Sequence, residues 1–477
     1  MSESLGNKAT VGAVWATIDR FGSMTLQFIV NLIMARLLVP ADFGAIGMLA
    51  IFIAVSQTLI DGGFSSALIQ KKEPSQTDYS TIFFWNIFFS ACLYLILFIS
   101  APLIAGFFNM PVLSSVLRVI GLNLILTAVI AIQTTRLRKS LAFRSIAITN
   151  ISAYILGGAC AVTYAYNGGG IWSLVMMQIL YGLFSILILW IITRWHPSAV
   201  FSRQTMKELF GFGGYIMAAN LLQTICQNIQ GVIIGHRFSA TQTGYYSQAY
   251  KLDQITSYSI PQVIVQVMYP VYSSIQDERK RLCDMLLMNI RVISYIIFPM
   301  LALLILVAHD LIEFLYGEQW LPSVPYFRIL CVGGIFVCLQ NINFYAVAAV
   351  GKSKSLFMWS FYKWGFLLLA VIIGGQFGMG GIMWGMVLSS ANIYVVNAAI
   401  VQRYIHLDIK KQIQTILPTG LITILSFICS FVIKDLVSTN DFLIPAMCFF
   451  CLYILLSSRL KASTETYQLI RRLNYKK

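Results

Sequence analysis

One apolar stretch near the start of the chain carries a regular row of polar residues. Within residues 15–44, the side chains of Arg20, Ser23, Gln27 and Asn31 are spaced 3, 4 and 4 positions apart. On a helix of 3.6 residues per turn this spacing aligns them in one stripe and leaves apolar side chains over the rest of the surface. The pattern predicts a membrane-spanning helix with one polar face.

The same layout returns 200 residues later in the chain. The second polar row consists of Asn220, Gln223, Gln227 and Gln230. Gly44, after the first row, aligns with Gly244, after the second. A polar membrane stripe repeated at a fixed offset predicts two related halves whose polar faces are turned toward each other.

Hydrophobic residues make up 58% of the 477 positions, charged residues only 11%, and the mean hydropathy is +0.77. Soluble domains carry about 25% charged residues, so this composition indicates a polytopic membrane protein. Apolar runs of about 20 residues recur along the chain and predict an all-α fold with about 14 transmembrane helices. The predicted domains are an N-terminal six-helix lobe (1–193), a cytoplasmic linker (194–208), a pseudo-symmetric C-terminal six-helix lobe (209–401), and two extra helices with a basic cytoplasmic tail (402–477).

The net charge of +15 follows the predicted topology. Predicted cytoplasmic segments hold 24 of the 33 basic residues, whereas outward loops hold only Arg36, Arg237 and Lys434. This asymmetry places both termini on the cytoplasmic side, by the positive-inside rule. It also excludes a nucleic-acid partner, because the charge belongs to membrane topology and forms no binding surface.

Three cations lie seven or eight residues inside predicted spans: Arg20, Lys251 and Lys363. A charge at the bilayer centre costs about 2.5–3.5 kcal/mol on insertion scales, so each of them requires a reason. Pairing with nearby carboxylates is one interpretation, and a cationic cavity for an anionic group is the other. The polar stripes favour the cavity for Arg20 and Lys251, whereas both interpretations stay open for Lys363. The deep acids Asp61 and Asp253 are candidates for ion coupling, and Asp61 also fits a role at its neighbouring glycine turn.

Several features argue against an enzyme. No outward loop exceeds about twenty residues, which leaves no space for an external catalytic domain, and no phosphate-binding loop of the GxxxxGK[ST] type is present. Cys448 and Cys451 form a CxxC inside an apolar helix, which favours packing over a metal site. We expect no catalytic residue, metal or cofactor, with coupling to a proton or sodium gradient as an open option. The charged segment IQDERKRLCDML predicts an interfacial helix at the inner surface of the membrane.

Three segments resemble a known family. They are IVNLIMARLLVPADFGAIGM in the first hairpin, DGGFSSALIQKKE after the second span, and GYYSQAYKL followed by YPVYSSIQDERKRL in the eighth. In them the chain resembles Wzx-type oligosaccharide flippases of the polysaccharide transporter family in the MOP superfamily. The resemblance implies two six-helix bundles arranged as a V in the bacterial cytoplasmic membrane, alternately open to each side. It also implies a cargo of undecaprenyl-pyrophosphate-linked oligosaccharide repeat units for O-antigen, capsule or exopolysaccharide.

The resemblance and the stripes together suggest roles for individual residues. Arg20 and Lys251 are expected to neutralise the pyrophosphate, with Lys363 as a further candidate for cargo binding. Sugar hydroxyls are expected to bind the amides of Gln27, Asn31, Asn220, Gln223, Gln227 and Gln254. Expected partners are the lipid-linked oligosaccharide, membrane lipids, a polysaccharide polymerase and a chain-length regulator. The alternatives are a multidrug antiporter of the same superfamily, which would favour acidic cavity residues, and a polysaccharide polymerase or glycosyltransferase.

Overall fold

The computed structural model describes residues 2–437, 443–458 and 460. The predicted basic tail at 461–477 lies outside these residues. Throughout the described residues the regular structure is helical. The chain divides by its internal contacts into two compact units, 1–244 and 245–477. The predicted domain limits at 193, 208 and 401 remain a prediction.

The first unit is built from nine complete helices and the start of a tenth. The nine are α1 (Ser2–Leu37), α2 (Pro40–Asp61), α3 (Phe64–Gln70), α4 (Gln76–Phe107), α5 (Val112–Ile120), α6 (Asn123–Lys139), α7 (Phe143–Tyr166), α8 (Ile171–Thr193) and α9 (Arg203–Arg237). Helix α2 stops at Gly62, which adopts a left-handed conformation with φ of 52° and is followed by Gly63 with φ of 71°. Two consecutive left-handed residues favour glycine, because a Cβ atom is disfavoured there. Apolar side chains of α2, α4, α5, α6 and α8 form one hydrophobic core cluster of this unit.

Helix α10 (Ala240–Gln254) crosses from the first unit into the second. It continues through a π-helical turn (Ile255–Ser259) into α11 (Ile260–Ser274). The remaining helices are α12 (Arg279–Leu306), α13 (Ala308–Tyr316), α14 (Val324–Ala349), α15 (Ser353–Gly374), α16 (Gly378–Ile405), α17 (Ile409–Val437) and α18 (Leu443–Ser457). The charged segment from Arg279 onward is helical and forms the first turns of α12, continuous with the apolar remainder of that helix; its predicted interfacial position remains a prediction.

Nine helical stretches of the described residues are long and apolar enough to cross a membrane. One of them, Ser355–Ile405, contains 51 residues and includes most of α15 and all of α16. Helix α1 is not among the nine, since the polar row predicted from the sequence interrupts its apolar surface. The chain is therefore a multi-pass helical membrane protein.

The connector between α8 and α9 is held against the beginning of α4. The indole Nε1 of Trp195 donates to Gln76 Oε1 over 2.7 Å, and the Gln76 amide donates to the carbonyl oxygen of His196 over 2.8 Å. The backbone N–H of Ser198 donates to Ser80 Oγ over 2.9 Å. These bonds attach the connector to the first unit, since each has its acceptor and donor inside residues 1–244.

A buried carboxylate joins the same region to α9. Asp78 accepts from Thr205 Oγ1 over 3.0 Å and lies 2.8 Å from Lys71 Nζ. It also closes a capping box with Ser75, in which each residue bonds the other's backbone N–H. Asp78 therefore fixes the starts of both α4 and α9, and its negative charge has a cationic partner.

Candidate functional site

The polar row of α1 is divided between a helix contact and an exposed face. The Asn150 amide of α7 donates to Asp19 Oδ1 over 2.9 Å, and Ser23 Oγ donates to the same oxygen over 3.3 Å. One turn further along, Gln27 Nε2 donates to the hydroxyl of Tyr154, also on α7, over 2.8 Å. Part of the stripe thus holds α1 against α7 through hydrogen bonds between polar side chains.

Arg20 is placed differently from its neighbour Asp19. Its side chain is exposed, and within the described residues no carboxylate oxygen lies within 4 Å of it. Asp19 instead accepts from the neutral donors of Asn150 and Ser23. Gln27 is also exposed, and Asn31 is half-buried. The exposed face of α1 therefore offers a positive charge and an amide.

The second predicted row lies on α9. Asn220, Gln223 and Gln227 are exposed, whereas Gln230 is buried and donates to the carbonyl oxygen of Cys226 over 3.1 Å. On the adjoining face, the hydroxyl oxygens of Thr224 and of Thr58 on α2 are 3.0 Å apart. The three exposed amides therefore lie beside the contact of α9 with α2.

Small residues allow α9 and the start of α10 to approach α2 closely. A Cβ atom on Gly231 would lie 2.8 Å from the carbonyl oxygen of Gly47. At the end of the contact, a Cβ on Gly44 would lie 1.6 Å from the carbonyl oxygen of Ala240. Reciprocally, a Cβ on Gly244 would lie 1.9 Å from that of Pro40. The two glycines that the sequence aligns at an offset of 200 residues thus occupy equivalent positions on opposite sides of one contact.

The remaining candidates of the second unit begin on α10. The side chain of Lys251 is exposed, Gln254 is half-buried, and Asp253 is buried. Asp253 Oδ1 accepts from Ser257 Oγ, which lies in the π-helical turn. A Cβ on Gly334 of α14 would lie 2.0 Å from Ser257 Oγ, so α14 packs closely against this turn. Because isolated π-helical turns are frequent at functional sites, the position of Asp253 is compatible with a functional role.

Lys363 lies inside the helix packing of the second unit and is 6% exposed. Its ammonium group on α15 donates to Asn397 Oδ1 on α16. The Asn397 amide in turn donates to the carbonyl oxygen of Gln340 on α14 over 3.0 Å. The lysine therefore joins three helices, and its role in cargo binding remains a prediction.

Asp61 is located at the glycine turn that follows α2. Its Oδ1 atom accepts from Ser65 Oγ over 2.5 Å, across Gly62 and Gly63. The carboxylate therefore orients the turn between α2 and α3. Its role in ion coupling remains a prediction.

Two polar side chains of α7 belong to this region although they are absent from the sequence-based candidates. Asn150 bonds Asp19, and Tyr154 bonds Gln27. The Tyr181 hydroxyl of α8 donates to Asn150 Oδ1 over 3.2 Å, which extends the network to a third helix. The available signal was their spacing: Asn150 and Tyr154 are four residues apart in a predicted span, so they share a helix face.

Comparisons with known proteins agree on a class. A family model described as polysaccharide biosynthesis protein matches residues 33–325. The teichuronic acid biosynthesis protein TuaB of Bacillus subtilis is 25% identical over 93% of this chain and 92% of its own length. The lipopolysaccharide biosynthesis protein WzxC of Escherichia coli is 24% identical over 81% of this chain and 79% of its own. The fold is similar to that of the lipid II flippase MurJ in an inward closed conformation, with a TM-score of 0.74, 15% identity, and coverage of 93% of this chain and 98% of that one.

Proposed function

This chain belongs to the family of polysaccharide biosynthesis proteins, and we propose that it is a flippase for lipid-linked oligosaccharide repeat units. The cargo passes from the inner to the outer leaflet of the bacterial cytoplasmic membrane for assembly of a surface polysaccharide. The observation that carries this proposal is the exposed face of α1, where Arg20 and Gln27 lie on a helix of a multi-pass membrane protein. A cation beside an amide suits a pyrophosphate joined to a sugar.

The proposed mechanism assigns each part of the cargo to a different kind of surface. Arg20 and Lys251 neutralise the pyrophosphate, since a positive group replaces the water lost around phosphate oxygens. The exposed amides of Gln27, Gln223 and Gln227 bind sugar hydroxyls, together with Asn31, Asn220 and Gln254. The lipid tail stays in the bilayer. Alternating access by two six-helix bundles, within about fourteen spans and with both termini cytoplasmic, moves the polar head across.

No covalent step is required for this movement, and we assign the chain no enzymatic activity. A proton or sodium gradient that supplies the driving force would act through Asp61 or Asp253. Transport that is insensitive to both gradients would remove these two residues from the mechanism. A polymerase and a chain-length regulator are proposed as functional partners that act on the flipped units.

The leaflet in which repeat units accumulate tests this function. Deleting the gene should trap lipid-linked repeat units on the cytoplasmic face, where an impermeant sugar-modifying reagent cannot reach them in intact spheroplasts. Deleting a polymerase should instead leave single units accessible at the outer surface. Accessible units in cells without this protein would refute the proposal.

A multidrug antiporter of the same superfamily is the alternative of a different class. Its cargo is usually cationic, so acidic groups would be expected along the exposed faces. The exposed charges of the predicted site are instead Arg20 and Lys251. Sensitivity of the deletion strain to cationic dyes, with normal surface polysaccharide, would favour the antiporter.

A further inference from the structure

A cavity of about 350 Å³ lies within the second unit, between α12 and α17. This volume falls within the range of about 300–1,000 Å³ that is usual for small-molecule sites. Arg291 of α12 and Lys411 of α17 both line it, and none of its lining residues in the described part of the chain is acidic. Two basic side chains therefore line the described part of the cavity, and such side chains suit an anionic group.

The polar groups of α17 suit a phosphate ester. Lys411, Gln414, Thr415 and Pro418 line the cavity at positions i, i+3, i+4 and i+7, which is one face of a helix. The ammonium, amide and hydroxyl groups are donors for phosphate oxygens. Pro418 has no N–H for the carbonyl oxygen of Gln414, so the helical bond between these two residues is missing. That oxygen is an acceptor for a hydroxyl group of the ligand.

An apolar surface of α17 begins beside the cavity. Ile413, Leu417, Leu421, Ile424 and Ile428 are each between 50% and 57% exposed, and they follow one another at spacings of 4, 4, 3 and 4 residues. In a membrane protein such a stripe faces acyl chains. A ligand that has an anionic head and apolar tails would therefore contact both surfaces of α17 at once.

The location along the helices agrees with a lipid head group. Lys411 is in the first turn of α17, and α12 begins with Arg279, Lys280 and Arg281. Clusters of cations mark the cytoplasmic ends of spans, and basic pockets between spans on that side bind anionic lipid head groups. A soluble anion would make no use of the adjoining apolar stripe.

We propose that this cavity binds the phosphate of an anionic glycerophospholipid of the inner leaflet, with its acyl chains along the exposed stripe of α17. The ligand is a resident lipid, distinct from the transported cargo. The site stabilises the second unit by bridging α12 and α17. Because this lipid is not the transported cargo, the proposed lipid site does not depend on the proposed function.

Lipid-dependent melting of the purified full-length protein in detergent tests the proposal. Phosphatidylglycerol should raise the melting temperature of the native protein, and phosphatidylcholine should not. Each Lys or Arg near an anionic lipid contributes about fivefold in affinity, so R291Q/K411Q should need about 25-fold more phosphatidylglycerol for half of the shift. The single variant K411Q, which perturbs folding less, should need about fivefold more.

The matched control is R279Q/K410Q, which removes the same charge from the same two helices at exposed positions outside the cavity. Phosphatidylglycerol should raise the melting temperature of this control variant as much as that of the native protein, at the same lipid concentration. The site would be refuted if R291Q/K411Q and the native protein needed the same phosphatidylglycerol concentration for half of the rise in melting temperature. A shift given equally by phosphatidylcholine or by inorganic phosphate would overturn the ligand class. A shift given only by a polyisoprenyl pyrophosphate would make the cavity part of the cargo path and would overturn the resident lipid.

Discussion

The contact between Gly44 and the start of α10 should be intolerant of a single methyl group. A Cβ at position 44 would lie 1.6 Å from the carbonyl oxygen of Ala240, whereas carbon and oxygen atoms approach to about 3.3 Å in the closest favourable contacts. The G44A variant must therefore separate the two helices by more than 1 Å. Overpacking of a close contact costs about 1–3 kcal/mol, and this overlap belongs at the upper end.

In the proposed alternating-access cycle, this contact opens in another state. A cost of about 3 kcal/mol shifts the equilibrium between touching and separated helix ends by about 150-fold. We expect spin labels at Val39 and Ser239, which precede α2 and α10, to report a longer distance in G44A. The measurement is double electron–electron resonance in a background whose native cysteines have been replaced. Because the contact is reciprocal, G244A should give the same lengthening.

The control for this experiment is G106A. Apart from the backbone of its own helix and its chain neighbours, no heavy atom lies within 4 Å of a Cβ built on Gly106, which is in the last turn of α4, so the methyl group meets open space. Alanine is favoured over glycine in a helix by up to about 1 kcal/mol, and the label distance should stay as in the native protein. Identical distance distributions in G44A and the native protein, at equal membrane abundance, would refute the role of this contact.

Three further substitutions test the roles of individual charges. K251E should reduce surface polysaccharide by about tenfold or more at normal membrane abundance, because an anion replaces the proposed pyrophosphate partner; unchanged polysaccharide would contradict the cationic site. D78N should destabilise the protein by about 1–2 kcal/mol in thermal melting, because a neutral amide replaces the buried carboxylate that accepts from Thr205 and lies 2.8 Å from Lys71, while Lys71 itself stays partly solvated; an unchanged melting temperature would show that the carboxylate contributes nothing. K363M should keep transport, because Lys363 is 6% exposed and bonds Asn397 inside the unit; lost polysaccharide with normal abundance would place it in the cargo path.

Helical spacing predicted the features that belong to one helix. The polar row of α1 and its counterpart on α9 follow from spacing alone, and the offset between Gly44 and Gly244 anticipated two equivalent glycines. The partners of these rows did not follow, because spacing describes the face of one helix and not the neighbour that meets it. Tyr154 lies 127 residues from Gln27 along the chain, and only the packing of α1 on α7 brings their side chains together.

The same limit explains the connector and Lys363. The segment after α8 has the composition of a free loop, yet Trp195 and Ser198 bond to the start of α4, about 120 residues earlier in the chain. Composition cannot reveal such hydrogen bonds, since they depend on which helix end the fold places next to the connector. Lys363 satisfies its ammonium group with an amide oxygen 34 residues away, so a search for a nearby carboxylate could not find its partner.

The packing of α1 also explains how a cation is kept available beside an acid. Asp19 and Arg20 are adjacent, but consecutive residues of a helix point in different directions. Asp19 is satisfied by the neutral donors of Asn150 and Ser23, which need no positive partner. The carboxylate is therefore stabilised in the contact with α7 without neutralising Arg20. A helix built in this way holds its neighbour with one side of the polar row and presents positive charge on the other, which is the property that an anionic cargo requires.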